Sequence, residues 1–183
     1  MDLEGRVLRK RLGFITLLAL VVVLGVSGCA KQFAITTDLA EPLESPARFL
    51  VGSVTDQLPS TVEAKDKPSA EDIGKFRRYL TEELDEFAPT ILMVQAGDAA
   101  YEVTGAIMEY TKGSGFLRFM IGMGAGAAKV LTQLKVVEVA TGDVIFAGNF
   151  EGAVSSWTEG GDMMFRKVAR NFAKELNAQH TAK

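Results

Sequence analysis

An apolar run near the amino terminus divides this chain into a segment that is expected to be removed and a segment that is expected to fold. Residues 12–26 are almost all apolar, and basic residues exceed acidic ones in the segment before them. A positive region followed by a short apolar stretch is typical of a secretory signal segment. The run is shorter than the roughly 20 residues that a helix needs to cross a bilayer. It therefore predicts a cleaved segment, and only the residues after it can build the fold.

The residues that close the apolar run predict the point of cleavage. Val26-Ser27-Gly28-Cys29 resembles the bacterial lipobox, in which an aliphatic residue and two small residues precede an acceptor cysteine. Small residues let the peptidase approach the backbone, and the thiol takes the diacylglyceryl group. We therefore predict a signal peptide at residues 1–28, cleavage between Gly28 and Cys29, and lipidation of Cys29. The alternative is an uncleaved membrane helix that ends in a buried cysteine.

Acyl chains on Cys29 would make the membrane the first partner of the mature protein. Three chains exceed the two signals that stable attachment requires, so the attachment is expected to be permanent. Ala30 follows the cysteine, at the position where aspartate typically retains Gram-negative lipoproteins in the inner membrane. We expect a cell-envelope protein, anchored by lipid in the outer membrane and facing the periplasm.

The composition of the remaining chain excludes several classes of function. Four of the 20 basic residues but only two of the 23 acidic residues lie in the first 28 positions, so the mature chain is more acidic than the net charge of −3 for all 183 residues. An acidic surface argues against nucleic acid as a partner, because phosphate binding needs clustered basic residues. A single cysteine permits neither an intramolecular disulfide nor a cysteine-based zinc site.

About 150 residues remain after cleavage, which is the common size of one domain with one core. The mixed segment 29–47 contains two prolines and predicts a tether, with one short strand near residues 34–37. Residues 48–178 predict a single α/β lipoprotein domain. Residues 179–183 predict a disordered tail.

Two amphipathic helices are predicted in this domain. The first begins after Ser69, whose spacing to Asp72 is typical of a capping box, and ends at about Ala88 because Pro89 follows. Its apolar face contains Ile73, Phe76, Leu80, Leu84 and Phe87, whereas its opposite face, including Glu83, predicts a solvated surface. The second helix begins near Asp162, and its apolar face contains Phe165, Val168, Ala169, Phe172, Ala173 and Leu176.

The strands are predicted at residues 49–54, 90–95, 102–110, 131–139 and 144–150. The last two flank Ala140-Thr141-Gly142-Asp143, where a glycine can take a positive φ, so they predict a β-hairpin. Strands and helices in this order predict an α+β, two-layer sandwich. Both helices cover one face of a four- to five-stranded, mostly antiparallel sheet.

Residues 113–126 form a glycine-rich, apolar segment with one charge, Arg118. A dinucleotide fingerprint is excluded, because Gly122 and Gly124 precede a strand and leave no room for the helix that this motif opens. Two interpretations stay open: the segment covers one end of the core, or it is a surface that contacts a membrane or a partner. The candidate partner-binding residues are Arg118, Phe119, Gly122, Met123, Gly124 and Gly126.

Residues capable of catalysis are few. The only histidine, His180, lies in the predicted tail, so neither a Ser-His-Asp triad nor a histidine metal site is expected. Trp157 could stack on a ligand, but a tryptophan that covers a helix start is the commoner case. We expect a non-enzyme without metal or cofactor.

The glycine-rich segment followed by the Thr141-Gly142 hairpin resembles a family of bacterial lipoproteins known as domain of unknown function 4410. Further matching positions are Gly105-Ala106-Ile107, Tyr110 and Gly113-Ser114, and the resemblance extends from about Phe49 to Leu176. It implies an α/β fold and an envelope location, and it implies no catalytic residues.

These observations give three expectations about function. The first is a lipid-anchored binding, assembly or regulatory domain with an envelope partner, and the second is a subunit that self-assembles in an envelope secretion or pore complex. The third and weakest is a periplasmic enzyme, which a polar pocket with perturbed carboxylates would favour.

Overall fold

The computed structural model describes residues 33–114, 126–155 and 158–182, all of which belong to one compact unit. The strands are β1 Phe33–Thr37, β2 Ala47–Asp56, β3 Ile91–Met93, β4 Tyr101–Thr111, β5 Ala128–Glu138 and β6 Val144–Val154. The helices are α1 Ala70–Phe87 and α2 Met163–Thr181, and a 3₁₀ turn spans Ala64–Asp66.

The strands form one mixed sheet in the order β1-β6-β5-β4-β2-β3. β4, β5, β6 and β1 pair in antiparallel fashion, whereas β2 lies parallel to both β3 and β4. The prediction of an α+β two-layer sandwich is correct in class, but the sheet has six strands and is less antiparallel than predicted. The β2–β3 pair is parallel because α1 connects these strands as a crossover on one face of the sheet. The β2–β4 pair is parallel because residues 94–100 then lead the chain to the other side of β2.

Helix α1 begins where the sequence indicates. The Ser69 Oγ accepts a hydrogen bond from the Asp72 amide at 3.1 Å, and the Asp72 carboxylate accepts one from the Ser69 amide at 2.9 Å. This reciprocal capping box satisfies two backbone donors at the helix start. The helix ends at Phe87, with Ala88 as its C-cap, as predicted from Pro89.

Both helices pack on the same face of the sheet and against each other. The predicted apolar face of α2 is confirmed, because all six of its predicted residues are buried. Phe165 packs against the ring of Phe76 on α1, and Phe172 packs against Phe146 and Phe150 of β6. Alternate residues of β2, β4, β5 and β6 complete this core from the sheet side.

Glu83 departs from the prediction of a solvated helix face. Its side chain is fully buried and accepts hydrogen bonds from Arg166 Nε at 2.5 Å and Arg170 Nε at 2.8 Å, both on α2. The same arginines lie over the rings of Tyr79 and Phe87. One buried carboxylate, two arginines and two aromatic rings therefore meet at the contact between the two helices.

The tail predicted from residue 179 onward is instead helical through Thr181. Gln179 Oε1 accepts a hydrogen bond from the Leu39 amide at 3.0 Å, and His180 Nδ1 accepts one from the Leu43 amide at 3.1 Å. Leu39 and Leu43 are buried and belong to the segment that crosses from β1 to β2. This crossover, which was predicted as part of a tether, fixes the end of α2.

No helix in the described ranges has the length and hydropathy needed to cross a membrane.

Candidate functional site

The predicted site residues fall mainly outside the described part of the chain. These residues are Gly28, Cys29, Arg118, Phe119, Gly122, Met123 and Gly124, and Trp157 also lies outside the described residues. Gly126 is described, as are the residues on either side of the glycine-rich segment. The structure therefore shows where this segment is rooted.

The two ends of the glycine-rich segment are held together by the sheet. Thr111 and Lys129 are the last paired residues of β4 and β5 on this side, and beyond them the Ser114 amide donates to the Gly126 carbonyl at 2.8 Å. Gly113 and Gly126 have φ values of 71° and 70°, a left-handed region that favours glycine. A Cβ on Gly113 would lie 2.7 Å from the Gly126 oxygen. Glycine is thus required for the two backbones to meet.

A polar cavity of about 330 Å³ lies beside this root. Both helices begin at its wall, and β4 ends there. The lining side chains that carry charge or hydroxyl groups are Asp72, Lys75, Tyr110, Lys112 and Asp162. We call the surface formed by residues 111–114, 126–128 and the first turns of α1 and α2 the glycine-segment end of the domain.

The carboxylates of this cavity already have partners. Asp72 is engaged in the capping box of α1, and Asp162 Oδ2 accepts a hydrogen bond from the Tyr79 hydroxyl at 2.8 Å. Asp162 is the N-cap residue of α2, but its side chain makes no capping hydrogen bond. The Tyr79–Asp162 bond instead connects the two helices at their starts.

Both tyrosines near the cavity stay protonated at physiological pH. Burial, followed by the nearby Asp72 carboxylate, raises the pKa of Tyr110 to about 12. Burial and the hydrogen bond to Asp162 likewise raise the pKa of Tyr79. A tyrosine with a raised pKa is a poor base or nucleophile, and it retains a hydroxyl that can donate a hydrogen bond.

Across residues 33–114, 126–155 and 158–182, no three His, Cys, Asp or Glu side chains come together in a group that could hold a metal ion.

The opposite end of the domain has a larger cavity, of about 460 Å³. Its walls come from the β1–β2 crossover, the start of β4 and the β5–β6 hairpin. Four of the described side chains that line it are acidic, Asp38, Glu41, Glu44 and Glu138, and none of the described lining side chains is basic. We call this surface the acidic end of the domain.

The sheet face away from the helices differs in its side chains from both ends of the domain. It carries a shallow polar cavity of about 320 Å³ on β2, β4 and β5, lined by side chains that include Thr55, Thr104, Gln133 and Lys135. Lys129 lies on the same face, between Glu151 at 3.0 Å and Glu109 at 3.8 Å. The face is therefore polar and partly exposed.

The sequence indicated the glycine-rich segment but not the cavity beside it. Asp72 and Asp162 are recognisable from the sequence only as helix-start residues. Their approach to Tyr79 and Tyr110 depends on tertiary packing, since residues 79 and 162 are 83 positions apart. Nothing in the sequence distinguished Tyr79 and Tyr110 from core residues, because aromatic residues at helical or strand spacing are usually part of a core.

Comparison with known proteins gives a family match and several matches of fold. The model of the family described as domain of unknown function (DUF4410) matches residues 35–164. No curated protein matches the chain at a significant level.

Among solved structures, the PelC dodecamer from Paraburkholderia phytofirmans superposes with a TM-score of 0.57 at 12% identity, covering 79% of this chain and 96% of that chain. A hypothetical protein from Chlamydia trachomatis gives a TM-score of 0.48 at 9% identity, covering 75% and 99%. A lipoprotein from Neisseria meningitidis gives 0.44 at 11% identity, covering 65% and 90%. At 12% identity, the likeness to PelC shows a shared fold.

Proposed function

The chain belongs to the DUF4410 family, and from this premise we propose that it is a lipid-anchored, non-catalytic domain of the cell envelope that binds another envelope component through its glycine-segment end. The observation that carries the proposal is the fixed root of the glycine-rich segment. Hydrogen-bonded strand ends hold Ser114 and Gly126 together beside a polar cavity. Segments that a rigid scaffold presents in this way commonly carry binding function.

The anchor in this proposal is the lipobox cysteine, Cys29. The short apolar run before it and the small residues at its cleavage point support processing rather than retention as a helix. Ala30, in place of aspartate, supports the outer membrane with the domain facing the periplasm.

The binding role is favoured over catalysis by the state of the polar groups in and beside the cavity. Asp72 and Asp162 are already hydrogen-bonded, and Tyr79 and Tyr110 have raised pKa values. Groups in this state can donate or accept hydrogen bonds from a ligand, and a tyrosine with a raised pKa is a poor general base. A turnover activity that was lost in Asp162→Asn would contradict the non-catalytic role.

Site-specific photocrosslinking in cells tests the binding surface. A photoreactive residue at Lys112, beside the root, is expected to give a discrete adduct with an envelope component. The matched control is Ala140, which is exposed in the β5–β6 turn at the acidic end. The adduct from Lys112 should disappear when Arg118, Phe119 and Met123 are replaced together by alanine. Adducts of equal strength from both positions, or none from Lys112, would contradict the proposal.

A second candidate function is self-assembly into an envelope complex. The PelC chain, which shares this fold, forms a dodecamer, and this observation supports a multimeric state. The mass of the lipidated protein in mild detergent distinguishes the two candidates. A multiple of the subunit mass supports self-assembly, whereas a monomer contradicts it and leaves the binding function intact.

A further inference from the structure

We infer that the glycine-segment end of the domain lies against the lipid headgroups of the membrane that holds its own anchor, so that the bilayer surface is the envelope component it contacts. This inference rests on the proposed function, because it takes Cys29 as the point of attachment. It goes further by naming the partner chemistry and by giving the domain a fixed orientation.

The short connection between Cys29 and the sheet is the first argument. Three residues separate Cys29 from Phe33, the first residue of β1, so the chain between these two residues spans at most about 14 Å. A lipidated Cys29 lies at the bilayer surface. The start of β1 must therefore lie within about 14 Å of that surface.

The direction of β1 decides which end of the sheet this connection can bring to the membrane. Phe33 pairs with Phe150, and β1 is antiparallel to β6, so the chain enters β1 from the side of Val154. Val154 lies about 14 Å from Phe150 along the strand, within reach of an extended connection. Val144 lies about 20 Å away in the other direction, and the β5–β6 turn extends beyond it.

Val154 lies at the glycine-segment end. It pairs with Ala128 at the start of β5, and Lys129 pairs with Thr111 at the end of β4. The backbone around Ser114 and Gly126, which roots the glycine-rich segment, lies just beyond these pairs. The end within reach of the anchor is therefore also the end with the candidate site.

The charge distribution supports the same orientation. Among the described residues, the cavity at the acidic end is lined by four carboxylate side chains and no basic one, whereas Lys75 and Lys112 accompany two carboxylates at the glycine-segment end. Anionic lipid headgroups repel carboxylates at close range. The orientation that the connection favours thus points the acidic end away from the membrane.

Fluorescence quenching on reconstituted vesicles tests this orientation. Because the chain has one cysteine and lipidation occupies its thiol, a single introduced cysteine can be labelled specifically. Three lipidated variants, Lys112→Cys, Ala34→Cys and Ala140→Cys, would each carry a nitrobenzoxadiazole label on the introduced cysteine. Each would be reconstituted in vesicles of phosphatidylethanolamine and phosphatidylglycerol that contain lipids with nitroxide-labelled headgroups as the quencher. All three positions are exposed in the structure, and a thermal melt of each variant confirms its folding.

The Lys112 label is expected to lose most of its fluorescence, the Ala34 label less, and the Ala140 label almost none. Equal quenching of Lys112 and Ala140 would overturn the inference, and stronger quenching of Ala34 than of Lys112 would replace it with an edge-on orientation. Either result on a lipidated, vesicle-bound protein leaves the proposed binding function standing. A protein whose intact mass shows no lipid on Cys29 would overturn the anchor, and the orientation with it.

Discussion

Gly152 lies in β6 at the point where the first turn of α2 crosses the sheet. A Cβ at this position would lie 2.0 Å from the Met164 carbonyl oxygen, a backbone atom that cannot rotate away. Gly152→Ala must therefore displace the start of α2, and we expect it to lower the free energy of unfolding by about 3 kcal/mol. Urea denaturation followed by circular dichroism measures this change.

Gly74 provides a matched control for the same substitution. It lies within α1, and a Cβ there has no neighbour within 4 Å in the described part of the chain. Gly74→Ala is expected to raise the free energy of unfolding by about 0.5–1 kcal/mol, because alanine is the better helix former. If Gly152→Ala and Gly74→Ala changed the free energy of unfolding in the same direction, the close contact between α2 and β6 would be wrong.

Thr132 is a second position where substitutions of one side chain test the structure. It is fully buried on the helix side of β5, and its hydroxyl has no hydrogen-bond partner among the described residues. Thr132→Val keeps the shape and removes the unpaired group, so we expect the free energy of unfolding to rise by about 1 kcal/mol. Thr132→Ser, which keeps the hydroxyl and removes a methyl group, is expected to lower it by about 1 kcal/mol. A destabilised valine variant would indicate a partner for the hydroxyl.

Glu83 contributes the buried ion pairs at the contact between the two helices. Burial alone raises the pKa of Glu83, but hydrogen bonds from Arg170 and Arg166 outweigh burial, and the net pKa is lowered. Both arginines remain partly exposed and can be rehydrated when the carboxylate is lost. Glu83→Gln is therefore expected to lower the free energy of unfolding at neutral pH by about 2 kcal/mol, within the range for hydrogen bonds to charged groups.

The effect of Glu83 has a defined pH dependence. Because its pKa is lower in the folded state, its contribution is fully present above the ordinary pKa of a glutamate and is lost as the pH falls through the folded-state pKa. The difference between wild type and Glu83→Gln should shrink over this acidic range. Glu82→Gln, in an exposed ion pair with Arg78, is the control and should change stability little at any pH. A pH-independent loss for Glu83→Gln would contradict an ionised Glu83.

The helices could be predicted from the sequence because their signals are local. Ser69 and Asp72 cap α1 within one turn, and the apolar spacing of α2 identifies its buried face without any knowledge of the sheet. Glu83 could not be identified in this way, because its arginine partners lie 83 and 87 positions along the chain. The end of α2 was missed for the same reason, since His180 is fixed by Leu43 of the β1–β2 crossover.

For the sheet as a whole, only the α+β two-layer class could be predicted from the sequence. The β5–β6 hairpin was recognisable from its turn, where Gly142 has a φ of 79° as its position predicts. The parallel pairing of β2 with β3 and β4 was not, because it depends on which strand a crossover reaches rather than on any neighbouring residues. The polar cavity at the glycine-segment end follows from that strand order, so it also lay beyond prediction.

At the scale of the whole molecule, the proposed function and the inferred orientation both depend on one covalent bond. We propose that a lipid on Cys29, which three residues separate from Phe33 at the start of β1, holds the sheet close to the membrane with its glycine-segment end inward. Without that bond, the short connection sets no orientation, and the binding surface has no membrane nearby.

The intact mass of the protein expressed in a Gram-negative host, together with membrane fractionation, tests this claim most directly. We predict a mature mass that begins at Cys29 and includes acyl chains, recovered with the membranes, and the loss of both properties in Cys29→Ser. A mass that includes residues 1–28 would contradict lipid anchoring and would indicate that residues 12–26 remain as a membrane helix.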